Sequence, residues 1–279
     1  MPNARTPSVL RLLLCALAFV SMFGTLSPSH ALAQTSRPWL GVVLAPAADG
    51  VEGVPITEVM TGSPAEQARL AVGDRIVAVS GRTVATAREV IDRVRALSPG
   101  DVVPLTFVRG GKRQQAHATV TVMPSAEALL RMARVGKPAP ELVSIQPVPG
   151  SATIRSMAAL RGRVVLVEFW APWCTACRMA SPQLNEWTRM YAARGLTVVG
   201  VGAEPAAELA DAARTWGLAY PIVSDPAQAT WKAWGVREIP AMLLVDRRGV
   251  VRDVVSGFDP ARFRELQAAI DRLIAEPAR

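Results

Sequence analysis

Hydrophobic and polar positions alternate differently in the two main parts of the chain. Between residues 37 and 123, short apolar stretches separated by Gly and Pro turns predict strands, among them 39–44, 75–79 and 102–109. Two helix starts carry capping boxes, Ser63 with Glu66 and Thr86 with Glu89. The second helix is expected to place four apolar residues on one face, at Ala87, Val90, Ile91 and Val94. This part is predicted to be a small β-rich domain with two helices.

Residues 136–279 instead alternate apolar runs with stretches of helical spacing. The runs at 163–170, 196–201, 220–223, 241–245 and 250–255 predict strands. The first is almost continuously apolar, which is typical of a buried parallel strand. Helices are predicted after Cys174 and at 205–216, 227–234 and 260–275, so this part is expected to be an α/β fold. Residues 124–135 form a linker with a short helix that the sequence assigns to neither domain.

Residues 1–33 have the pattern of a secretory signal peptide. Arg5 and Arg11 precede an apolar run at 12–26, and Ala31-Leu32-Ala33 offers a small-residue cleavage site. The alternative is an uncleaved membrane anchor, although the run is short for a span of about 20 residues. The expected location is therefore the periplasm.

Charge and residue counts exclude several kinds of function. The net charge of +8 comes from scattered residues with no run that would follow a phosphate backbone, so no nucleic-acid partner is expected. Beyond the signal, the chain has one histidine, His117, and two cysteines. A Cys/His zinc site needs about four ligands, and a Ser-His-Asp triad has no good candidate. No metal and no cofactor are predicted.

The two cysteines, Cys174 and Cys177, lie where an apolar strand gives way to a helix. Unpaired N–H groups in the first helical turn stabilise a thiolate at Cys174, and the thiolate is the nucleophile. Spacing of three residues returns Cys177 to the same face, where it can attack a mixed disulfide and release the partner. The pair predicts a thiol–disulfide exchanger, and a purely structural disulfide is the alternative.

The first domain resembles PDZ domains of the bacterial HtrA kind. The likeness rests on Trp39-Leu40-Gly41-Val42, on Gly62-Ser63-Pro64-Ala65 through Val72-Gly73-Asp74-Arg75-Ile76, and on Pro99-Gly100. The resemblance implies that the backbone of Leu40, Gly41 and Val42 receives the carboxylate of a peptide or C-terminal tail, which adds a strand beside the groove. The alternative is a docking or spacing module without a free-peptide ligand.

The second domain resembles the thioredoxin fold and, within it, the exported TlpA/ResA-like thiol–disulfide oxidoreductases. Matching segments are 135–140, 167–178, Trp234-Gly235-Val236-Arg237-Glu238-Ile239-Pro240 and 245–249. The resemblance implies that Cys174 is the nucleophile and Cys177 the resolving thiol. It also implies a cis Pro240 against the disulfide, with the Ile239 backbone and the rim residue Trp173 meeting the substrate.

Glu168 stands where thioredoxins place a buried acid. Burial would raise the pKa of this carboxyl and let it exchange a proton with Cys177. The alternative is a half-buried residue bonded to water. The chain departs from the family at Ala180, where a Glu is frequent, and in lacking a lysine on the strand at 196–201 that could pair with Glu168.

These observations lead to three hypotheses of different functional class. The first is an exported enzyme that reduces disulfides in proteins, including apocytochrome c, with electrons from a membrane thiol reductase and a PDZ-like domain that recruits partners. The second is a peptide-binding adaptor with a passive thioredoxin-like scaffold. The third is a thiol peroxidase, for which Thr175 and Arg178 are candidate partners of the reactive cysteine.

Overall fold

The computed structural model describes residues 37–277, which carry one β-rich domain and one α/β domain, each built around its own sheet. The predicted signal peptide lies outside the described residues. Within that range, no helix is both long and apolar enough to cross a membrane.

The first sheet has six strands in the order β2-β3-β4-β6-β7, with β5 paired to β4. Its strands are antiparallel and surround a core that includes Val54, Ile76 and Leu105. The elements of this domain are β1 (Pro38–Trp39), β2 (Val42–Leu44), β3 (Val54–Val59), α1 (Pro64–Gln67), β4 (Arg75–Val79), β5 (Arg82–Thr83), α2 (Ala87–Arg95), β6 (Val102–Arg109), β7 (Lys112–Thr119) and β8 (Thr121–Val122).

Both predicted helix caps are present. The Ser63 hydroxyl accepts from the N–H of Glu66, and the Thr86 hydroxyl accepts from the N–H of Glu89. In a capping box the glutamate side chain accepts from the N–H of the N-cap residue. Here Glu66 and Glu89 accept instead from the residue before the cap, Gly62 and Ala85 respectively. On α2, Val90 and Val94 are buried, but Ile91 is 40% exposed. Ala87, Val90, Ile91 and Val94 nonetheless lie on one face of α2, as predicted, because all four line the same cavity between α2 and β2.

The first predicted strand, at residues 39–44, is interrupted at Gly41. Residues before it pair with β8 and residues after it pair with β3, so β1 and β2 belong to different sheets. Gly41 has φ of +84°, a left-handed conformation that strains other residues. A Cβ at this position would lie 2.1 Å from the Cβ of Ser63. Only glycine can adopt this backbone conformation beside Ser63, and the strand is interrupted at this position.

Substitution Gly41→Ala is expected to destabilise the first domain by about 3 kcal/mol, because backbone strain and a steric clash add. Gly73→Ala is the matched control: φ is +91° there, but no atom lies within 4 Å of the added Cβ. We expect it to cost about 1 kcal/mol. Hydrogen exchange of the β3 and β4 amides in the full chain measures both, and equal effects would contradict the clash.

The second sheet has the strand order β14-β13-β10-β11-β12-β9. Strands β10, β11 and β12 run parallel, whereas β13, β14 and β9 are antiparallel to their neighbours. The elements are β9 (Gln146–Pro147), β10 (Val164–Trp170), α4 (Thr175–Tyr191), β11 (Leu196–Gly202), α5 (Ala206–Trp216), β12 (Ile222–Ser224), α6 (Ala229–Trp234), β13 (Ala241–Val245), β14 (Val251–Ser256) and α7 (Pro260–Ala275).

Strand β10 is the centre of this sheet and is buried over its whole length. Alternate residues contribute to two apolar layers on opposite faces. Val164, Leu166 and Trp170 belong to the layer with α4 and α7, and Val165 and Val167 belong to the other. The predicted α/β architecture is therefore confirmed.

The linker contains α3 (Ala126–Arg134), and this helix packs on the α/β domain. Arg131 forms an ion pair with Asp253 on β14. The Arg134 guanidinium donates to the carbonyls of Ala233 and Trp234, at 2.6 and 2.8 Å. The structure thus shows that α3 packs on the α/β domain, a question that the sequence did not decide.

Candidate active site

The two cysteines form a disulfide at the N-terminus of α4. Cys174 is the N-cap residue of this helix, and its sulfur accepts from the N–H of Cys177 at 3.1 Å. Strand β10 ends at Trp170, and the turn through Ala171-Pro172-Trp173 delivers Cys174 to the helix start. A thiolate at Cys174 in the reduced protein would meet the same N–H group and the positive end of the helix.

The two sulfur-bearing residues differ in their access to solvent. Cys174 is 6% exposed, whereas Cys177 is fully buried. Beside them Trp173 is 71% exposed, and its indole N–H donates to the Glu204 carboxylate at 2.9 Å. The small exposed fraction of the pair therefore belongs to Cys174, next to the exposed side chain of Trp173.

Glu168 lies on β10 and is only 1% exposed, so the half-buried alternative is wrong. Strand parity places Glu168 on the same face as Leu166 and Trp170, in the apolar layer that contains both cysteines. Burial raises the pKa of its carboxyl to about 8, and a hydrogen bond from Tyr220 partly opposes that rise. The carboxyl would therefore be mostly protonated at neutral pH.

Tyr220 takes the place of the lysine that this chain lacks. Its hydroxyl donates to Glu168 at 2.7 Å, and both groups are buried. Burial, together with the neighbouring carboxyl, raises the pKa of Tyr220 well above its usual value, so the phenol remains the donor. Sequence reasoning missed this partner because 52 residues separate the two positions. It missed Glu204 for a similar reason, since Glu204 is 31 residues from Trp173.

The peptide bond between Ile239 and Pro240 is cis. Pro240 directly precedes β13, which pairs with β10, and its carbonyl accepts from the N–H of Gly257 at 2.7 Å. Ile239 packs against both apolar layers, including the one that contains Cys174 and Cys177. The loop that ends at the cis bond therefore contacts the layer in which the disulfide lies.

Thr175 and Arg178, the candidate partners of a peroxidase cysteine, make no side-chain hydrogen bond to the Cys174 sulfur within residues 37–277. The side chains of Thr175 and Arg178 are exposed at the start of α4. Among residues 37–277, the hydrogen bond recorded for the Cys174 sulfur comes from the backbone of Cys177. In that same range, no group of three or more His, Cys, Asp or Glu side chains could hold a metal ion.

In the first domain, Leu40 and Gly41 are buried and Val42 begins β2. The carbonyls of Leu40 and Gly41 accept from the N–H groups of Ala65 and Met60, each at 2.9 Å. A groove of about 420 Å³ runs along this segment, between β2 and α2. Val90, Ile91 and Val94 line its helical wall, which explains why Ile91 is exposed.

Family comparisons agree with this division of the chain. A PDZ domain model matches residues 38–120, and an AhpC/TSA family model matches residues 135–254. Protein DipZ of Mycobacterium bovis is 37% identical over 115 residues, which are 39% of this chain and 16% of DipZ. The chain therefore spans about a sixth of that relative.

The thiol–disulfide oxidoreductase ResA of Geobacillus thermodenitrificans is 31% identical over 124 residues, which are 44% of this chain and 70% of ResA. The chain belongs to the ResA-type thiol–disulfide oxidoreductases. Unlike the matched stretch of ResA, this ResA-type chain also carries the PDZ domain.

A relative that shares the PDZ domain is the DegP-like periplasmic serine endoprotease of Rhizobium meliloti. It is 31% identical over 45% of this chain and 25% of that protein. Among solved structures, a Chlorobium tepidum protein described as the thiol:disulfide interchange protein DsbE is 28% identical with a TM-score of 0.46. The match covers 50% of the ResA-type chain and 98% of the other. The predicted order of a PDZ domain followed by a ResA-like domain is confirmed.

Proposed function

We propose that this protein is exported and reduces disulfide bonds in other proteins by thiol–disulfide exchange at Cys174 and Cys177. The observation that carries the proposal is the position of the pair at the start of α4, where Cys174 keeps a small exposed fraction and Cys177 has none. This arrangement suits a nucleophile and a resolving thiol better than a structural crosslink.

The reaction has two steps. The Cys174 thiolate attacks one sulfur of the substrate disulfide, forms a mixed disulfide and releases the other sulfur as a thiolate, which takes up a proton. Cys177 then loses its proton and attacks the Cys174 sulfur, so the substrate leaves with both of its sulfurs reduced. The protein has given two electrons and retains a Cys174–Cys177 disulfide.

Glu168 is the proposed proton acceptor for Cys177, in the carboxylate form that a pKa of about 8 leaves as the minority at neutral pH. It lies in the same buried layer, and its raised pKa is close to neutral pH, where a carboxyl group can gain and lose a proton with little cost. Tyr220 holds the carboxyl in place. Ile239 and Pro240 are proposed to hold the substrate strand, and Trp173 to form the rim.

Regeneration of the thiols requires an external reductant, which we propose to be a membrane thiol reductase. The PDZ groove at Leu40, Gly41 and Val42 is proposed to recruit the protein partner through a peptide or tail. Export follows from the predicted signal peptide.

Substitution Cys177→Ala tests the two-step scheme, because it removes the second attack and leaves the first. We expect the variant to accumulate mixed disulfides with its substrates through Cys174, seen as higher bands on non-reducing gels that dithiothreitol removes. Thr175→Ala, an exposed neighbour, should accumulate none. A Cys177→Ala protein that forms no such species, while the wild type turns over insulin, would overturn the assignment of the resolving thiol.

A further inference from the structure

The fold gathers arginines that are scattered in the sequence at one end of the α/β domain. Two of them precede β10, one precedes β11, and three lie in or just after the turn between β13 and β14. Because β11 is parallel to β10 and β13 is antiparallel to it, these positions share one edge of the sheet. We call this set the arginine surface; its members are Arg161, Arg163, Arg194, Arg247, Arg248 and Arg252.

Contacts between the segments show that the set is continuous. The Arg247 guanidinium donates to the carbonyl of Gly162 at 2.9 Å, and the Arg161 guanidinium lies against Gly249 in the β13–β14 turn. Arg163 donates to the carbonyl of Leu196, the first residue of β11, at 2.8 Å. These carbonyls hold the guanidinium groups in place without cancelling their charge.

Few carboxylates balance this surface. Asp246 lies 3.7 Å from Arg248 and 3.3 Å from Arg252, but it is buried, and one of its oxygens already accepts from two backbone N–H groups. Asp271 lies 3.9 Å from Arg194. Among the described residues, no carboxylate lies within 4.0 Å of the other three arginines, so the surface keeps an excess of positive charge.

The arginine surface and the disulfide lie at opposite ends of the sheet. Strand β10 starts beside Arg163 and ends at Trp170, four residues before Cys174. Its seven residues span about 20 Å at about 3.3 Å per residue. A partner on the arginine surface would therefore leave the redox site open to a substrate.

We propose that the arginine surface binds the phosphate groups of an anionic lipid membrane and directs the disulfide away from the bilayer. Each Arg or Lys near such a membrane is attracted by its negative surface potential. The inference goes beyond the exchange reaction, because it assigns a partner to a surface that takes no part in that chemistry. Binding there would keep the protein at the membrane in which its proposed reductant lies.

The composition of the surface favours lipid phosphates over a folded protein partner. Protein interfaces usually have an apolar centre surrounded by polar residues. Here Met190, four residues before Arg194, is the large exposed apolar side chain nearest to that arginine in the sequence. Arg161, Arg194 and Arg248 are exposed, so several charges can approach a layer of headgroups together.

Sedimentation of the full chain with lipid vesicles tests the proposal. The vesicles are phosphatidylcholine with or without phosphatidylglycerol, and pure phosphatidylcholine reports any binding that does not depend on charge. We expect the triple variant Arg161→Gln, Arg194→Gln, Arg248→Gln to bind the anionic vesicles about 100-fold more weakly, and each single substitution to weaken binding about fivefold. High salt should abolish the difference, because it screens the charges.

The matched control removes three exposed arginines from α2, α5 and α7, in the variant Arg88→Gln, Arg214→Gln, Arg264→Gln. Its net charge equals that of the first triple variant, but we expect it to weaken binding less than threefold. Near-UV circular dichroism verifies that each variant is folded. If the first triple variant is not, its three single variants decide.

Several results would overturn the proposal. Equal losses in the two triple variants would show that net charge, rather than this surface, attracts the vesicles. Displacement by millimolar inorganic phosphate would assign the surface to free phosphate, and tighter binding to a polynucleotide than to the vesicles would assign it to nucleic acid. Vesicle binding is measured with the disulfide closed, so a failure of insulin reduction would refute the exchange reaction alone.

Discussion

Replacement of Cys174 by alanine is expected to lower the rate of insulin disulfide reduction by about 10³-fold or more. Cys174 keeps an exposed fraction of 6%, whereas Cys177 has none, so Cys174 is the proposed point of attack. Without the first attack no mixed disulfide forms, and Cys177 has nothing to resolve. The measurement is the dithiothreitol-dependent precipitation of insulin, with the uncatalysed rate subtracted.

The matched control is Glu186→Gln, which alters an exposed residue further along the same helix. We expect its rate to stay within about twofold of the wild type, since surface changes of this kind rarely disturb a fold. Persistent turnover by Cys174→Ala would contradict the nucleophile assignment. It would favour the adaptor hypothesis if peptide binding were unchanged.

The second large effect is expected at Glu168, where Gln should stabilise the protein increasingly as the pH rises. Folding raises the pKa of this carboxyl from about 4.5 to about 8, so the folded state holds a proton that the unfolded state has lost between those values. The free energy of unfolding of the wild type therefore falls as the pH rises through this window.

Glutamine carries no ionisable proton, so this pH dependence disappears in Glu168→Gln. Below pH 4.5 the two proteins should be equally stable, and at pH 7 the variant should be more stable by about 3 kcal/mol, at about 1.4 kcal/mol per pKa unit. Above pH 8 the difference should no longer grow. Urea denaturation at a series of pH values measures it.

Glu186→Gln is the control because Glu186 is exposed on α4. It shows the effect of removing one carboxyl from the surface. A stability difference between Glu168→Gln and the wild type that does not change with pH would mean that Glu168 ionises normally in the folded protein, and its proposed exchange of a proton with Cys177 would lose its basis.

Sequence patterns located the elements that have sharp boundaries. Strand β4 begins after Gly73-Asp74, β6 and β7 meet at Gly110-Gly111, and α7 begins at Pro260. The predicted bounds of β4, β6, β13 and α7 match the structure residue for residue. In each case a turn residue or a helix cap fixes the local backbone, so nearby sequence suffices.

Other features depend on parts of the chain that are far apart. The strand predicted at 39–44 is divided because Gly41 must pass Ser63, which no local pattern reveals. Strand β9 has two residues and exists through its pairing with β12. The sequence predicts that Tyr220 lies in a strand, whereas in the structure it precedes β12 and its hydroxyl donates to Glu168.

The residues of the candidate site fall into the same two groups, those that nearby sequence predicts and those that depend on distant contacts. Cys174, Cys177 and Pro240 could be assigned from the sequence because their neighbours carry the family resemblance. The polar partners of the site, Tyr220 beside Glu168 and Glu204 beside Trp173, come from distant segments. The pairing of β10 with β11 and of β11 with β12 brings these segments close.

The central claim is that Cys174 is the accessible, reactive sulfur and Cys177 the protected one. Brief treatment of the reduced, folded protein with substoichiometric iodoacetamide tests it, with fragment-ion mass spectrometry to locate the label between the two residues. We predict that Cys174 is alkylated first and that Cys177 reacts at a comparable rate only after unfolding. Alkylation of Cys177 first, or of both at equal rates in the folded protein, would contradict the account.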